Sequence, residues 1–375
     1  MLAIPGALSF SATPPSTLEL FKAELSTNAK HLVRPGYGLL ACDESTGTVG
    51  SRLESIGMEN SFKNRATWRN LLFTAPNLNK YVSGCILYEE TLFQEDPNEG
   101  VAFVDKLKQE GIVPGIKVDM GLKALTGGGP KETWCSGLDG LYERSVDYYK
   151  QGARFAKWRT AVRVDTALNL PTNLAIEEAA HGLARYARIC QEAGLVPIIE
   201  PEVLIDGIHS IEETARVQEN LISLVYKKCE ENGVFLEGTL LKASMTVSGV
   251  DAVNKAKPGE IAAMTCTTLS RCVPPAVPGV VFLSGGISEE DASIYLNEIN
   301  QIKGHSQPWA MTFSFSRAMQ SSCLKMWEGK EANVEKAQKQ LVARAQANSE
   351  ASFGKYAPGS QPSDEESLYV RDYVY

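Results

Sequence analysis

The sequence predicts an α/β protein in which a single domain forms a (β/α)8 barrel, the TIM barrel. Eight short runs rich in Val, Ile, Leu and Phe recur along the chain, each bounded by Gly, Pro or a charged residue. Nearly continuous apolar runs suit parallel strands, because both faces of such strands are buried. Amphipathic helical patterns separate the runs, and strand–helix units of roughly 30 to 45 residues are typical of a barrel.

The predicted strands are spread over the whole chain. In order they are GLLACD (38–43), GCILYEE (84–90), IVPGIKVD (112–119), ARFAKWR (153–159), LVPIIEPE (195–202), FLEGTLLK (235–242), VVFLSGG (280–286) and WAMTFSFSR (309–317). Helices are clearest at 176–194 and 211–233, where apolar residues recur at helical spacing and glycine follows the last turn. A doubly wound open sheet is the alternative, and eight units in one chain favour the barrel.

The chain shows no linker or composition break that indicates a second domain. We therefore expect a variable N-terminal extension at 1–17, the barrel domain at 18–353 and a C-terminal tail at 354–375. The tail is rich in Gly, Pro, Ser and acidic residues, a composition typical of a mobile segment. It ends in the aromatic and apolar LYVRDYVY, and about twenty extended residues span on the order of 60 Å, so its tip can reach the barrel mouth.

A formal net charge of −8 argues against several kinds of partner. Phosphate backbones and anionic membranes select basic surfaces, so we expect neither a nucleic-acid nor a membrane partner. No apolar run approaches the 18 or so residues of a membrane span. An anionic small molecule would therefore have to meet a local basic pocket.

The cysteines and histidines give no sign of a disulfide framework or a metal site. The eight cysteines contain no C-x-x-C pair, which predicts reduced thiols in a reducing compartment. The four histidines form no metal-binding motif, so we expect no metal and no other cofactor. The opening MLAIPGALSFSATPPS lacks Arg and Lys, which argues against a secretory or mitochondrial signal. A cytoplasmic location is expected, with the plastid stroma as the alternative.

Polar and charged residues gather where the predicted strands end, which is where barrel enzymes build their active sites. They are Asp43, Glu89, Lys117, Lys157, Arg159, Glu200, Glu202, Lys242, Ser284 and Arg317. A single charge at a strand end is usually a solvated boundary residue. A polar group at every strand end instead predicts one shared site.

Lys242 stands near the end of the apolar stretch GTLLKASM and is the candidate nucleophile. Burial or neighbouring cations lower the pKa of a lysine from about 10.4, and a neutral lysine can form a Schiff base with a carbonyl group. Lys157 and Arg159 could supply those cations. The alternative is that Lys242 only extends from a strand end into solvent.

Glu200 and Glu202 are candidates for the proton transfers of such a reaction. They alternate along one predicted strand and so point the same way. Mutual repulsion would raise the pKa of one of them, giving an acid beside a base. The alternative is that both only pair with Lys and Arg side chains.

Seven motifs follow one another between about Leu18 and Tyr375: ACDESTG, GIKVD, AKWR, PIIEPE, LLK, FLSGG and FSFSRAMQ. In this order they resemble the class I fructose-1,6-bisphosphate aldolases. The resemblance implies a metal-independent enzyme of glycolysis and gluconeogenesis, usually a homotetramer of single-domain barrels. Such an enzyme reversibly splits fructose 1,6-bisphosphate, a small phosphorylated sugar, into dihydroxyacetone phosphate and glyceraldehyde 3-phosphate.

The resemblance also implies roles for individual residues. Lys242 would form the Schiff base, Glu200 would serve as acid and base in carbinolamine dehydration, and Glu202 would be its companion. Asp43 would take the C4 hydroxyl proton, Lys157 would help set the pKa of Lys242, and Tyr375 would exchange the proton at C3 of the enamine. The distal phosphate would contact Arg52, Lys117 and Arg159, and the phosphate near the ketone would contact Ser284, Gly285 and Arg317. Ser45 and Ser314 would also bind substrate.

Four positions depart from the family's usual sequence. Ser316 stands where glycine commonly precedes the phosphate-binding arginine, Ala243 where proline is common, Ile287 where glutamine is frequent and Ser51 where a lysine is expected. The missing cation at Ser51 should weaken distal-phosphate binding. Ser316 would restrict close backbone approach to the near phosphate unless its hydroxyl substitutes. An aldolase-like scaffold protein and a Schiff-base lyase of a sugar monophosphate are therefore the alternative functions.

Two further stretches are expected to be structural. LTGGGP at 125–130 lacks the strand and lysine context of a phosphate-binding loop, which predicts an ordinary glycine-rich loop. The stretch 326–352 is charged and amphipathic, which predicts a solvated outer helix.

Overall fold

Eight parallel strands close into a barrel, which confirms the predicted fold. The computed structural model describes residues 17–302 and 307–371. Its strands are β1 (Gly38–Cys42), β2 (Val82–Leu87), β3 (Val113–Lys117), β4 (Leu122–Ala124), β5 (Thr133–Cys135), β6 (Phe155–Val162), β7 (Val196–Val203), β8 (Leu240–Ser244), β9 (Gly279–Leu283) and β10 (Ala310–Phe315). β4 and β5 form a separate antiparallel hairpin, and the other eight, which overlap the eight predicted runs, pair in chain order around the barrel.

Helices alternate with the strands along the chain. They are α1 (Leu18–Leu32), α2 (Thr46–Glu54), α3 (Phe62–Phe73), α4 (Glu89–Leu92), α5 (Phe103–Gln109), α6 (Leu141–Gln151), α7 (Asn173–Glu192), α8 (Ile211–Glu231), α9 (Pro258–Cys272), α10 (Glu289–Gln301), α11 (Arg317–Trp327) and α12 (Val334–Ser352). α7 and α8 confirm the two helices predicted most clearly. Within the described ranges, no helix has the length and apolar character needed to cross a membrane.

Apolar side chains fill the barrel at its N-terminal end. One buried cluster joins the strand residues Phe155, Ile198 and Leu240 to Leu25 and Leu32 of α1. α1 therefore covers the end of the barrel at which the strands begin. A second and larger cluster packs the other helices against the outer faces of the strands. The inward-facing polar residues therefore lie at the C-terminal end of the barrel.

The strand register places charged residues of neighbouring strands side by side. Lys117 on β3 pairs with Lys157 on β6, and Arg159 on β6 pairs with Glu200 on β7. Lys242 is the third residue of β8 and not, as predicted, the last residue of its strand. Residues Leu236–Gly238 form a short 3-10 helix, so the strand begins at Leu240, and pairing of Ala243 and Ser244 with β9 continues it beyond the lysine.

The single helix predicted at 326–352 is wrong. α11 ends at Trp327, because Glu328 and Gly329 adopt positive φ angles of 52° and 70° that a helix cannot continue through. α12 begins only at Val334.

α12 also buries one face, so the prediction of a solvated outer helix is wrong for that face. The fully buried guanidinium of Arg344 donates hydrogen bonds to the carbonyl of Glu289 and the hydroxyl of Ser293 on α10. The glycine-rich stretch 125–130 is confirmed as a loop, since it joins β4 to β5.

The first part of the tail lies against α10. The carboxylate of Glu290 accepts hydrogen bonds from the Tyr356 hydroxyl, the Gly359 N–H and the Ser363 hydroxyl. Burial raises the pKa of Glu290, and these hydrogen bonds outweigh burial and lower it. The carboxylate therefore anchors the tail in its charged form.

Beyond this anchor the tail crosses to the C-terminal end of the barrel. The Leu368 carbonyl accepts a hydrogen bond from Arg317, and the Tyr369 hydroxyl donates to Asp206 in the loop after β7 at 2.7 Å. A Cβ atom added to Gly286, in the turn after β9, would lie 3.0 Å from the Cα of Tyr369. The predicted catalytic Tyr375 lies outside the described residues.

Candidate active site

One cavity opens at the C-terminal end of the barrel. Ten of the predicted site residues line it: Asp43, Arg52, Arg159, Glu200, Glu202, Lys242, Ser284, Gly285, Ser314 and Arg317. They come from β1 and from β6 through β10, or from the segments that follow these strands. The barrel therefore brings residues from the two ends of the chain into one site.

The other four predicted residues lie elsewhere. Lys157 is fully buried behind the lining. Lys117 pairs with the carboxylate of Asp119 at 2.6 Å, and Ser45 is the N-cap of α2, where its hydroxyl accepts a hydrogen bond from the N–H of Thr48. Tyr375 is not among the described residues.

A chain of alternating charges forms the floor of the cavity. The Lys157 ammonium lies 2.7 Å from Asp43 Oδ2 and 3.2 Å from Glu200 Oε2, and Glu200 Oε1 lies 3.1 Å from the Lys242 ammonium. All four side chains are buried. Since buried charges are stable only when they are paired, two lysines and two carboxylates stabilise one another here. Lys242 is 3% exposed, so it does not extend into solvent.

Glu202 pairs with a different cation. Its Oε2 atom accepts a hydrogen bond from Arg159 Nε at 2.5 Å. Glu200 and Glu202 both face the cavity, as their alternation along β7 predicts. Each carboxylate nevertheless contacts basic side chains, which matches the alternative interpretation of this pair. Glu200 is left in contact with two lysines at once.

Lys117 belongs to a second buried pair beside this floor. Its ammonium contacts both the carboxylate and the carbonyl of Asp119, and the other carboxylate oxygen accepts from the backbone N–H of Arg159. Burial raises the pKa of Asp119, and the charges of Lys117 and Lys157 outweigh burial and lower it. The pair ties the end of β3 to β6.

The cavity lining is not basic overall. Its cations are Arg52, Arg159, Lys242 and Arg317, and its carboxylates are Asp43, Glu44, Glu200 and Glu202. The prediction of a local basic pocket is therefore wrong for the formal charge of the lining. Carboxylate partners hold Arg52, Arg159 and Lys242 at defined positions, because a buried cation requires a counter-charge.

Sequence reasoning did not single out Glu44, although it follows Asp43 directly. Its side chain is 3% exposed and lies 2.6 Å from Arg52 and 2.8 Å from Arg69. Burial raises the pKa of Glu44, and the two guanidinium groups with the Ser316 hydroxyl outweigh burial and lower it to about 2. The signal in the sequence that could have identified Glu44 was the pair of adjacent carboxylates, Asp43 and Glu44, directly after a buried strand. Its partner Ser316 comes from a distant segment, so that contact could not be predicted.

The side of the cavity formed by β9, β10 and α11 presents groups suited to a phosphate. The hydroxyl of Ser314 is buried and has no hydrogen-bond partner within 17–302 and 307–371. Arg317 opens α11, and a cation at a helix N-terminus attracts anions. Gly285 and Gly286 follow Ser284 with φ angles of 55° and 97°, which favour glycine in this turn.

Barrel enzymes build their active sites at this end, and a buried lysine there can form a Schiff base with a carbonyl substrate. A family model described as class-I fructose-bisphosphate aldolase matches residues 24–375. Fructose-bisphosphate aldolase 4, cytosolic, of Arabidopsis thaliana is 53% identical over 354 residues, which are 94% of this chain and 89% of the relative. Fructose-bisphosphate aldolase of Plasmodium falciparum is 52% identical over 353 residues, 94% of this chain and 95% of the relative.

Two further comparisons agree. Fructose-bisphosphate aldolase 3, chloroplastic, of Arabidopsis thaliana is 50% identical over 374 residues, 98% of this chain and 94% of the relative. The co-crystal structure of fructose-bisphosphate aldolase from Plasmodium falciparum with TRAP and a small-molecule inhibitor matches with a TM-score of 0.88 and 52% identity, covering 93% of this chain and 98% of that chain. The chain belongs to the class I fructose-bisphosphate aldolase family.

Its reaction is the reversible aldol cleavage of fructose 1,6-bisphosphate, a phosphorylated sugar, and the Schiff-base mechanism is general for this family. The predicted family, enzyme class and reaction are confirmed.

Proposed function

We propose that Lys242 is the nucleophile that forms the Schiff base with the C2 carbonyl of fructose 1,6-bisphosphate. The observation that carries this assignment is the buried charge chain of Asp43, Lys157, Glu200 and Lys242. Of its two lysines, Lys242 lines the cavity and Lys157 is fully buried behind the lining. Lys242 is therefore the lysine that is placed to meet substrate.

Glu200 is the acid and base for Schiff-base formation, since it lies 3.1 Å from the Lys242 ammonium. Glu200 first takes a proton from the Lys242 ammonium. The resulting amine attacks C2, and a proton moves from its nitrogen to the carbonyl oxygen to give the hydroxyl of a carbinolamine. Glu200 gives this hydroxyl a proton, water leaves, and the iminium forms. Glu202, held by Arg159, keeps a second carboxylate beside the reacting carbon.

Asp43 takes the proton of the C4 hydroxyl. The C3–C4 bond then breaks, its electron pair moves into the iminium to give an enamine, and glyceraldehyde 3-phosphate leaves as the aldehyde. Lys157 contacts both Asp43 and Glu200, so it holds the two carboxylates in position relative to each other. A proton from Tyr375 adds to C3 of the enamine, and hydrolysis of the resulting iminium releases dihydroxyacetone phosphate and restores Lys242.

The two substrate phosphates bind to different sets of residues at the mouth. Ser284, Gly285, Ser314 and Arg317 hold the phosphate near the ketone, and Arg52 and Arg159 hold the distal one. Lys117 and Ser45 contribute indirectly, since Lys117 pairs with Asp119 and Ser45 caps the helix that carries Arg52.

Borohydride reduction in the presence of dihydroxyacetone phosphate tests the nucleophile. The reduced adduct should map to Lys242, and Lys242→Ala should abolish both trapping and cleavage. Lys123→Ala, which removes an exposed lysine of β4, should leave both unchanged. Activity should survive EDTA, because the iminium accepts the electron pair of the broken bond. An adduct on another lysine, or activity lost to the chelator, would overturn the assignment.

Cleavage of a sugar monophosphate is the second candidate, and Ser51 is the observation that favours it. Ser51 is exposed and its hydroxyl donates to the Gly47 carbonyl, so it supplies no cation beside Arg52. We expect kcat/KM for fructose 1,6-bisphosphate to exceed that for fructose 1-phosphate by about tenfold or more, or at least 1.4 kcal/mol. Equal kcat/KM for the two sugars would favour the monophosphate as substrate. No turnover of either sugar would favour the scaffold role.

We also propose a homotetramer in the cytoplasm. Family membership supports the tetramer, and the cytosolic relative supports the compartment, with the plastid stroma as the alternative because other relatives are chloroplastic. Light scattering should give four times the 40.8 kDa chain mass. A fluorescent fusion of the full chain should fill the cytoplasm and leave plastids dark.

A further inference from the structure

The hydroxyl of Ser316 lies at the junction between two cations of the cavity. We propose that Ser316 is a positioning residue that orients the guanidinium of Arg52, and thereby tunes affinity for the bisphosphate without touching it. This proposal rests on the phosphate-binding role given to Arg52 above.

The single hydrogen of the Ser316 hydroxyl is already used. It is donated to Glu44 Oε1, an oxygen of a carboxylate whose pKa is lowered to about 2 by Arg52, Arg69 and Ser316 against the opposing effect of burial. Such a carboxylate only accepts hydrogen bonds. A phosphate dianion also only accepts, so Ser316 can bind phosphate only by releasing Glu44. The hydroxyl is therefore not a phosphate ligand in this arrangement.

The oxygen of the same hydroxyl faces Arg52. Arg52 Nη2 donates to Ser316 Oγ at 3.3 Å, while Arg52 Nη1 donates to Glu44 Oε1 at 2.6 Å. Two nitrogens of the planar guanidinium thus donate to Glu44 and to Ser316, and these two acceptors are hydrogen-bonded to each other. This geometry sets the orientation of the guanidinium plane as well as its position.

The acceptors themselves are fixed by the surrounding structure. Glu44 is paired with the buried Arg69 at 2.8 Å and accepts from Gln320 Nε2 at 3.4 Å. The same Gln320 nitrogen donates to the carbonyl of Ala41 on β1 at 2.6 Å. Loss of the Ser316 hydroxyl would remove the acceptor that Arg52 Nη2 contacts at 3.3 Å.

The position of Ser316 in the fold explains how its hydroxyl can contact Arg52. It is the residue before α11, with φ −106°, a value that any side chain tolerates, and it immediately precedes Arg317. Arg52 lies on α2, and all three residues line the cavity. The hydroxyl therefore links the helix that carries Arg52 to the helix that begins with Arg317.

Steady-state kinetics of Ser316→Ala test the proposal. A misoriented Arg52 weakens binding of ground state and transition state alike, so KM for fructose 1,6-bisphosphate should rise about three- to tenfold while kcat stays within about twofold. Ser51→Ala is the matched control, because it removes a hydroxyl next to Arg52 in sequence that bonds to the Gly47 carbonyl instead. KM of the control should not change.

A double-mutant cycle separates the positioning role of Ser316 from the phosphate-binding role of Arg52. In an Arg52→Ala background, Ser316→Ala should have no further effect on KM, because the group it orients is gone. A full Ser316→Ala effect in that background, or an unchanged KM in the single variant with only a lower melting temperature, would overturn the positioning role. If Arg52→Ala itself leaves KM unchanged, the phosphate role of Arg52 fails instead.

Discussion

Glu44 shows at the scale of one residue what a buried carboxylate contributes to stability. Its pKa is lowered from 4.5 to about 2, so its contribution is complete above pH 4.5 and is lost as the pH falls towards 2. That shift corresponds to about 3 kcal/mol. Glu44→Gln should lower the free energy of unfolding by about this amount at pH 7, and the difference should disappear near pH 2.

Denaturant unfolding of both proteins at a series of pH values measures the effect. Glu230→Gln, at an exposed position on α8, is the control and should show no such pH-dependent loss. A Glu44→Gln difference that stays constant from pH 7 to pH 2.5 would identify packing, and not charge, as its source.

Residue types at the site could be predicted, but not the contacts between them. Asp43, Glu200 and Lys242 stand out locally, because a charge at the end of an apolar run is visible in the sequence. Glu44 and Ser316 could not be paired in this way, since they are 272 positions apart and meet only when β10 closes against β1. The mutual neutralisation of cations and carboxylates in the lining depends on the same closure.

At the scale of elements, the barrel strands were predictable because each is buried on both faces and reads as an apolar run. The β4–β5 hairpin was not, since its strands have three residues each and are partly exposed. The break between α11 and α12 was missed because the positive φ at Glu328 falls on a residue type that does not favour it.

The contact between Tyr369 and Asp206 seats the tail on the loop after β7. Burial and the bond to Asp206 raise the pKa of Tyr369 to about 12, so the phenol remains a donor. Tyr369→Phe removes this hydrogen bond and should reduce turnover of the bisphosphate about two- to fivefold, because the tail is then held less firmly. Single-turnover release of glyceraldehyde 3-phosphate should stay unchanged. Tyr142→Phe, on the exposed side of α6, is the control. An equal loss of turnover in this control would show that the contact between Tyr369 and Asp206 does not cause the effect.

Removal of Tyr375 is the stronger test of the tail. If Tyr375 supplies the C3 proton, its deletion should lower kcat on the order of tenfold or more, with aldehyde release in a single turnover affected much less. Borohydride trapping at Lys242 should persist. Turnover at the full rate, or an equal loss of both steps, would contradict the assignment.

At the scale of the whole molecule, packing and chemistry occupy opposite ends of the barrel. Leu25 of α1 is fully buried in the cluster that covers the N-terminal end. Leu25→Ala should lower the free energy of unfolding by about 2–5 kcal/mol, with kcat and KM unchanged well below the melting temperature. Leu20→Ala, on the same helix but 81% exposed, should change neither. An altered KM in Leu25→Ala would show that the two ends are coupled.

Gly286 belongs both to the turn after Ser284 and to the surface on which the tail rests. Its φ of 97° favours glycine, and a Cβ added there would make a tight contact of 3.0 Å with the Cα of Tyr369. A substitution there would disturb phosphate binding and tail placement in one step. The turn and the tail therefore form one contact surface, and a side chain at position 286 can be accommodated only if the tail moves as well.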